Sequence, residues 1–460
     1  MVPRVTRWDP SSWKGKPNAQ AVAYADEDAL DQVVERLRAL PPLVTSWEIE
    51  RLKSLIADAQ EGKRFLLQGG DCAETVADCR QANVVNKLKI LLKMSLVLIL
   101  GGRKPIVRVG RFAGQYAKPR SSPTEVRSGV ELPSYFGDLV NRAEFEAEAR
   151  RPDPQHLLTG YQHAAMTLNL VRALSAGGFA DLHHPEYWDL SFFESAGLTP
   201  TLREDYQLIT RQLADALRFM EALGEGAIEE LSRVEFYASH EGLHLHYESA
   251  QTSTVPFGEG FYDLTTHLPW IGERTRALDG AHVEFFRGIK NPIGIKLGPK
   301  STVDDVHRLL DVLNPSEEPG RIVLITRMGA ERAPDVLPPL LSGVKRRVLW
   351  VCDPMHGNTH STATGIKTRS FDAILGELQA TFDAHAHAGT ILGGVHFELT
   401  GDDVTECVGG AAGITESDLA RNYESLCDPR LNQAQALEMA FLIARRMRAP
   451  SGGLSDRPRG

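Results

Sequence analysis

The 460-residue chain has only five cysteines, at positions 72, 79, 352, 407 and 427, and none of their spacings is CxxC. So sparse a set excludes a disulfide framework and fits a reducing cytoplasm. No apolar run reaches the ~18 residues of a membrane span. The nearest candidate, 88–100 (LKILLKMSLVLIL), carries Lys89 and Lys93 and reads as a buried helix. The first residues lack an apolar h-region, so no secretory signal and no transit peptide are expected. Basic excess is also lacking: 51 Lys+Arg stand against 60 Asp+Glu, a net charge of −9, which argues against nucleic acid as a partner. P-loop, GxGxxG and GxSxG motifs are absent, which removes the common nucleotide-binding and serine-hydrolase readings, and the zincin reading is set aside with them. Internal repeats and low-complexity tracts are missing. An apolar fraction of 42% excludes disorder for the bulk.

What is present is an alternation of short apolar segments with helical ones. Eight segments read as strands buried on both faces: 65–69, 105–109, 234–239, 268–272, 292–297, 322–327, 348–352 and 394–399. Helical stretches at 201–223, 302–313 and 370–385 separate many of them. Two helices precede the first strand, at 26–40 and at 46–61 with Ser46 as its cap. Eight such units predict an α/β fold of the TIM (β/α)8 type. The expected organisation is an N-terminal helical extension over 1–60 that packs on the barrel or on a partner subunit. A barrel follows over 61–448, with a helical insert at about 177–230, and then a flexible tail over 449–460.

In such a barrel the strand ends meet at one face, where catalytic residues sit. Each strand here leads into a polar cluster. Cys72, His356 and Glu398 follow the first, seventh and eighth segments, and Asp428 lies shortly after. One thiol, one imidazole and two carboxylates make a mixed set suited to Mn²⁺, Fe²⁺, Co²⁺ or Zn²⁺. Six cations also fall at or just past strand ends: Arg111, Lys118, Arg120, Arg274, Lys296 and Arg327. On an acidic chain, six converging cations point to a ligand with two or more phosphate or carboxylate groups. Singly, each of these residues has an ordinary role as a core thiol, a solvated side chain or an ion-pair partner. Glu241, Glu273 and Asp353 are available for acid–base work or for orienting ligands. The histidine pairs 183–184 and 244/246 read as surface or core residues.

These clusters resemble the class II (plant-type) 3-deoxy-D-arabino-heptulosonate 7-phosphate (DAHP) synthases. The matching strings include FLLQGGDCAE (65–74), GRFAGQYAKPRS (110–121), ASHE (238–241), WIGERTR (270–276), NPIGIKLGP (291–299), PGRIVLITRMGAE (319–331), VCDPMHGNT (351–359), GIKTRSFD (365–372), HFELTGDDVTECVGG (396–410) and CDPRLN (427–432). The resemblance implies a transferase that condenses phosphoenolpyruvate with erythrose 4-phosphate, the entry step of the shikimate pathway to aromatic amino acids. It implies a divalent metal, Mn²⁺ or Co²⁺ first and Zn²⁺ or Fe²⁺ next, held by Cys72, His356, Glu398 and Asp428. Arg111, Glu273, Arg274, Lys296 and Arg327 match the phosphoenolpyruvate site, with Lys296, Glu273 and Arg111 in catalytic roles. Lys118, Arg120 and Ser121 match the erythrose 4-phosphate site. A cytoplasmic homodimer or homotetramer is implied, with a chorismate mutase as a possible partner. A Cys72–Cys427 disulfide, if formed, removes the thiolate ligand.

Two alternatives stand beside this reading. One is a relative serving secondary metabolism, supplying aminoshikimate or phenazine precursors. The other is a non-catalytic regulatory subunit. Feedback control by Trp, Phe or Tyr is not legible in the sequence.

Overall fold

A computed structural model describes residues 8–176, 204, 207, 208, 211, 235–256 and 259–448. The expected helix at 201–223, the insert at 177–230 and His183-His184 fall wholly or mostly outside the described residues, as does the 449–460 tail.

All eight expected strands form, in one sheet whose ladders are all parallel. They are β1 (Phe65–Gly70), β2 (Ile106–Arg111), β3 (Tyr237–Ala238), β4 (Trp270–Ile271), β5 (Ile293–Leu297), β6 (Ile322–Thr326), β7 (Leu349–Cys352) and β8 (Leu392–Glu398). The order is β3-β2-β1-β8-β7-β6-β5-β4. A parallel bridge between Glu241 and Trp270 then joins the two outer strands and closes the sheet into a barrel. β5 and β6 (IGIKL, IVLIT) are buried at every residue, the pattern of strands covered on both faces. β3 and β4 are two residues long, shorter than the segments the sequence predicts, because the chain leaves the ladder early to enter the 239–241 and 272–276 loops.

Register decides what meets at the strand ends. Gly70 pairs with Arg111 on one side and Glu398 on the other, so the last residues of β1, β2 and β8 lie level. Gly70 serves that close approach: a Cβ there would lie 2.8 Å from the Arg111 carbonyl oxygen. Its φ is +146°, which a side chain rarely adopts.

Helices α1 (Glu27–Arg38) and α2 (Ser46–Gln60) precede the barrel. Asp26 caps α1. The cap of α2 is Thr45 rather than Ser46, because Thr45 and Glu48 form a reciprocal capping box. Leu52, Leu55, Ile56 and Ala59 of α2 share one apolar cluster with Leu66, Val107, Val323, Leu349 and Val351 from the strands. A Cβ on Gly393, at the start of β8, would lie 2.9 Å from the Ala59 carbonyl oxygen, so α2 covers the end of the barrel opposite the loop clusters. The apolar run with Lys89 and Lys93 lies inside α3 (Gln81–Gly102), which is buried along most of its length. The remaining long helices are α4 (Gln155–Ala176), α5 (Val303–Leu313), α6 (Ala333–Gly343), α7 (Phe371–Ala388) and α8 (Gln433–Arg448). Thr302 and Ser370 cap α5 and α7 through their hydroxyls. Among the described residues, no helix is long and apolar enough to cross a membrane.

Gly137 gives a test of the close packing beside β2. Its φ is +97°, and a Cβ would lie 2.1 Å from the Tyr116 carbonyl oxygen. Gly129, at φ +80°, meets nothing within 4 Å. Gly137→Ala is expected to cost about 3 kcal/mol and Gly129→Ala about 1 kcal/mol. Chemical denaturation of both variants measures the difference, and equal losses would show that strain alone, not contact, governs position 137.

Candidate active site

A cavity of about 440 Å³ opens over the C-terminal ends of the strands. Its walls bring together Cys72, His356 and Asp428 with Arg111, Lys118, Arg120, Ser121, Glu273, Arg274, Lys296 and Arg327. All six cations singled out by their strand-end positions therefore face one space.

Glu398, the last residue of β8, has no solvent exposure. Arg369 donates to its Oε2 at 2.7 Å and Arg111 to its Oε1 at 3.0 Å, while His356 Nε2 lies 3.0 Å from Oε1. Burial pushes this carboxyl up, but His356, Arg369 and Arg111 outweigh burial and hold it well below the usual carboxylate range. Arg111 donates to Asp71 O, Cys72 O, Glu398 and His396, which uses four of its five N–H groups. It anchors the cavity floor and has one N–H left for a ligand.

Cys72, Glu398 and Asp428 place one ligand atom each within 4.8 Å of one another. His356 stands beside Glu398. Asp353 accepts from His356 Nδ1 at 2.7 Å, an arrangement that leaves Nε2 as a lone-pair donor. In the neutral imidazole, Nε2 and Glu398 Oε1 are two acceptors facing each other, which calls for a cation between them, a proton or a metal ion. Thiol, imidazole and two carboxylates therefore fit a divalent metal by chemistry and by grouping. Burial raises the Cys72 thiol well above its ordinary value, and its neighbour Cys427 adds to the rise. Lys118 donates to Cys72 Sγ at 2.5 Å and to Asp428 at 3.1 Å. Lys118 thus lies beside the thiol and carboxylate, and it lines the cavity together with Arg120 and Ser121.

The other cations sit higher. Burial brings the Lys296 ammonium down to about 8, against the opposing pull of its ion-pair partner Asp353. Arg274 donates to Ser121 Oγ at 2.9 Å, and Arg327 donates to His356 O at 2.7 Å. Among the described residues, Arg120, Arg274 and Arg327 make no ion pair, so their charge is available to an anion. Glu273 lines the cavity wall while Arg276 holds it at 3.1 Å through two N–H groups and Gly298 N donates to it at 2.7 Å. Burial raises the Glu241 carboxyl, whose Oε1 has no partner.

The sequence contains one zincin pattern after all, at 240–244 (HEGLH). The chain is not helical there, since the following helix is Leu245–Ala250. His240 Nε2 pairs with Glu248 at 3.0 Å, and His244 Nε2 meets the Tyr24 hydroxyl at 2.8 Å. These two imidazoles are core residues, which for His244 resolves the surface-or-core expectation.

Several site residues carried no sequence signal of their own. Arg369 reaches Glu398 from the hairpin 359–361/367–369. Glu74 accepts from the backbone N–H groups of Ala113, Gly114 and Gln115 at 3.1, 3.0 and 3.0 Å and so shapes the 112–121 loop. Gln20, from the segment ahead of α1, accepts from Arg120 N at 2.9 Å and donates to Arg120 O at 3.3 Å. Only their place inside longer motifs, for Glu74 and Arg369, offered a hint. Arg369→Met removes a cation from a carboxylate with no exposure and is expected to cost about 3–5 kcal/mol, read from urea denaturation. Loss below about 1 kcal/mol would mean that Arg111 and His356 suffice for Glu398.

Comparison with known proteins supplies the kinship. A model of the class-II DAHP synthetase family matches residues 8–444. A Neurospora crassa protein named phospho-2-dehydro-3-deoxyheptonate aldolase is 47% identical over 96% of this chain and 95% of its own. One of the same name from Streptomyces coelicolor is 48% identical over 94% and 96%. Phospho-2-dehydro-3-deoxyheptonate aldolase AroG of Mycolicibacterium smegmatis is 45% identical over 94% and 93%. A closed parallel barrel, strand-end donors and cations, and a match over nearly the full length together make this chain a member of the class-II DAHP synthetase family.

Proposed function

We propose that this chain is a DAHP synthase that joins phosphoenolpyruvate to erythrose 4-phosphate and releases inorganic phosphate. The observation that carries the reading is one cavity in which a thiol–imidazole–carboxylate set adjoins cations that have no acid partner among the described residues. Family membership and the relatives' shared name support it. We assign Cys72, His356, Glu398 and Asp428 as metal ligands, with Mn²⁺ or Co²⁺ as the first candidates. A divalent metal bound there supplies Lewis-acid polarisation of a carbonyl.

The residues around it do the rest. Arg327, Arg274 and Lys296 hold the phosphate and carboxylate of phosphoenolpyruvate, with Arg111 beneath them. Arg120 and Ser121 bind the phosphate of the sugar, and Lys118 spans the sugar site and the ligand set. Orientation of this kind supplies a large share of the rate. The methylene carbon of phosphoenolpyruvate forms the new C–C bond with the aldehyde carbon, whose C=O π bond opens as its oxygen takes a proton. Water adds to the enol carbon, and the C–O bond to phosphate breaks. Lys296, paired with Asp353, and the buried Glu241 are placed to move the protons of water addition. Glu273 orients the 272–298 wall through Arg276 and Gly298 N.

Phosphate release from the two substrates is the direct test, using metal-stripped protein with and without Mn²⁺ or Co²⁺ under reducing conditions. Metal-dependent release is expected. A folded, metal-loaded protein without turnover would overturn the reading. Cys72→Ala and His356→Ala are expected to lose more than ~100-fold of metal-dependent turnover. Arg327→Ala is expected to raise KM for phosphoenolpyruvate by ~10–100-fold, the worth of one charged hydrogen-bonding group.

Cys72 and Cys427 are neighbouring free thiols. Hydrogen peroxide takes two electrons and two protons from the pair to give a disulfide and water. We expect that product to lose its metal and a dithiol to restore it. Metal content unchanged after peroxide would exclude this route.

A further inference from the structure

We propose that Glu377 and Asn358 are positioning residues that lock the loop bearing Arg327 to the loop bearing His356. This rests on the functional reading above, in which Arg327 binds phosphoenolpyruvate and His356 holds the metal. Neither Glu377 nor Asn358 lines the cavity.

Glu377 projects from α7, an outer helix, yet it is 1% exposed. Its Oε1 accepts from Met328 N at 2.6 Å, the residue after Arg327. Its Oε2 accepts from Asn358 Nδ2 at 2.7 Å, two residues after His356. Asn358 continues the link in both directions: Oδ1 accepts from Ala330 N at 2.9 Å, and Nδ2 also donates to Pro354 O at 2.8 Å. The loops then touch directly. A Cβ on Gly357 would lie 2.3 Å from Gly329 N, and Arg327 donates to His356 O. A carboxylate costs more to bury than an amide, so anchoring alone does not explain the residue type. Acceptor geometry does. Both carboxylate oxygens face N–H donors, and glutamine would turn one amide N–H toward another.

Groups behind metal ligands and substrate cations typically set their affinity through such orientation. The inference therefore predicts effects on two ligands that Glu377 does not touch. Full-length Glu377→Gln, metal-stripped, is titrated with Mn²⁺ by calorimetry, then assayed for KM and kcat, with thermal melting alongside. Mn²⁺ affinity and KM for phosphoenolpyruvate are each expected to worsen on the order of tenfold, with kcat falling less. Asn358→Asp alone sets a carboxylate oxygen against both Glu377 Oε2 and Pro354 O and is expected to lose at least as much of both. If Glu377→Gln does not fold, Asn358→Ala carries the same test, since it keeps the contact from Glu377 to Met328.

Wild-type Mn²⁺ and phosphoenolpyruvate affinities in Glu377→Gln would overturn the proposal. So would a lowered melting temperature with unchanged affinities, or wild-type affinities in Asn358→Asp. His356→Ala run in parallel separates the two readings. Unchanged Mn²⁺ binding there overturns the ligand assignment and this inference with it. Lost binding there, with Glu377→Gln at wild-type affinity, overturns only the positioning role.

Discussion

The site depends on one buried carboxylate. Glu398 ends β8 with no exposure, and a lone charge so placed costs several kcal/mol. Arg369, Arg111 and His356 answer it from three directions. Each of these partners is then committed elsewhere. Arg111 fastens to the backbone of Asp71 and Cys72, Arg369 to Thr359 and Pro429, and His356 to Asp353. One charge-pairing requirement thus ties the ends of β1, β2 and β8 to the hairpin and to the 427–430 loop. A metal bound beside Glu398 would enter a frame already set.

The cations divide by what they face. Arg111, Arg369, Lys118 and Lys296 are paired with acids of the frame, and Lys87 and Arg430 neutralise Asp71 next to Cys72. Arg120, Arg274 and Arg327 have no such acid among the described residues. The first group makes the site rigid, and the second leaves charge for anionic ligands. Counting cations in the sequence does not separate these groups, because pairing is a property of distance.

Rigidity is distributed outward. Glu74 gathers three backbone N–H groups of the 113–115 turn, Gln20 grips Arg120 by its main chain, and Glu377 clasps two loops from the outer helices. None of these residues needs to touch a substrate to fix where one binds. α2 fills the far end of the barrel and leaves the strand ends free to carry polar groups.

Much of the fold was legible in the chain. Near-continuous apolar runs at 292–297 and 322–327 read as strands covered on both faces, and the helical stretches at 302–313 and 370–385 were visible between strands. The long strand-end strings also carried the family and the identities of the ligand and cation candidates, because residue type determines what chemistry a side chain can perform. Position 45 rather than 46 as the cap, and two-residue β3 and β4, were not legible, since capping competition and ladder length are settled by neighbours. The partner of Glu273, the placement of Lys118 among the thiol and carboxylates, and the roles of Gln20, Arg369 and Glu377 were likewise decided only in three dimensions. The sequence by itself determined which groups exist and that they lie at strand ends. Tertiary structure decided which charges neutralise one another and which remain for a ligand, because Coulomb pairing and hydrogen bonding depend on separations that register and closure of the barrel create.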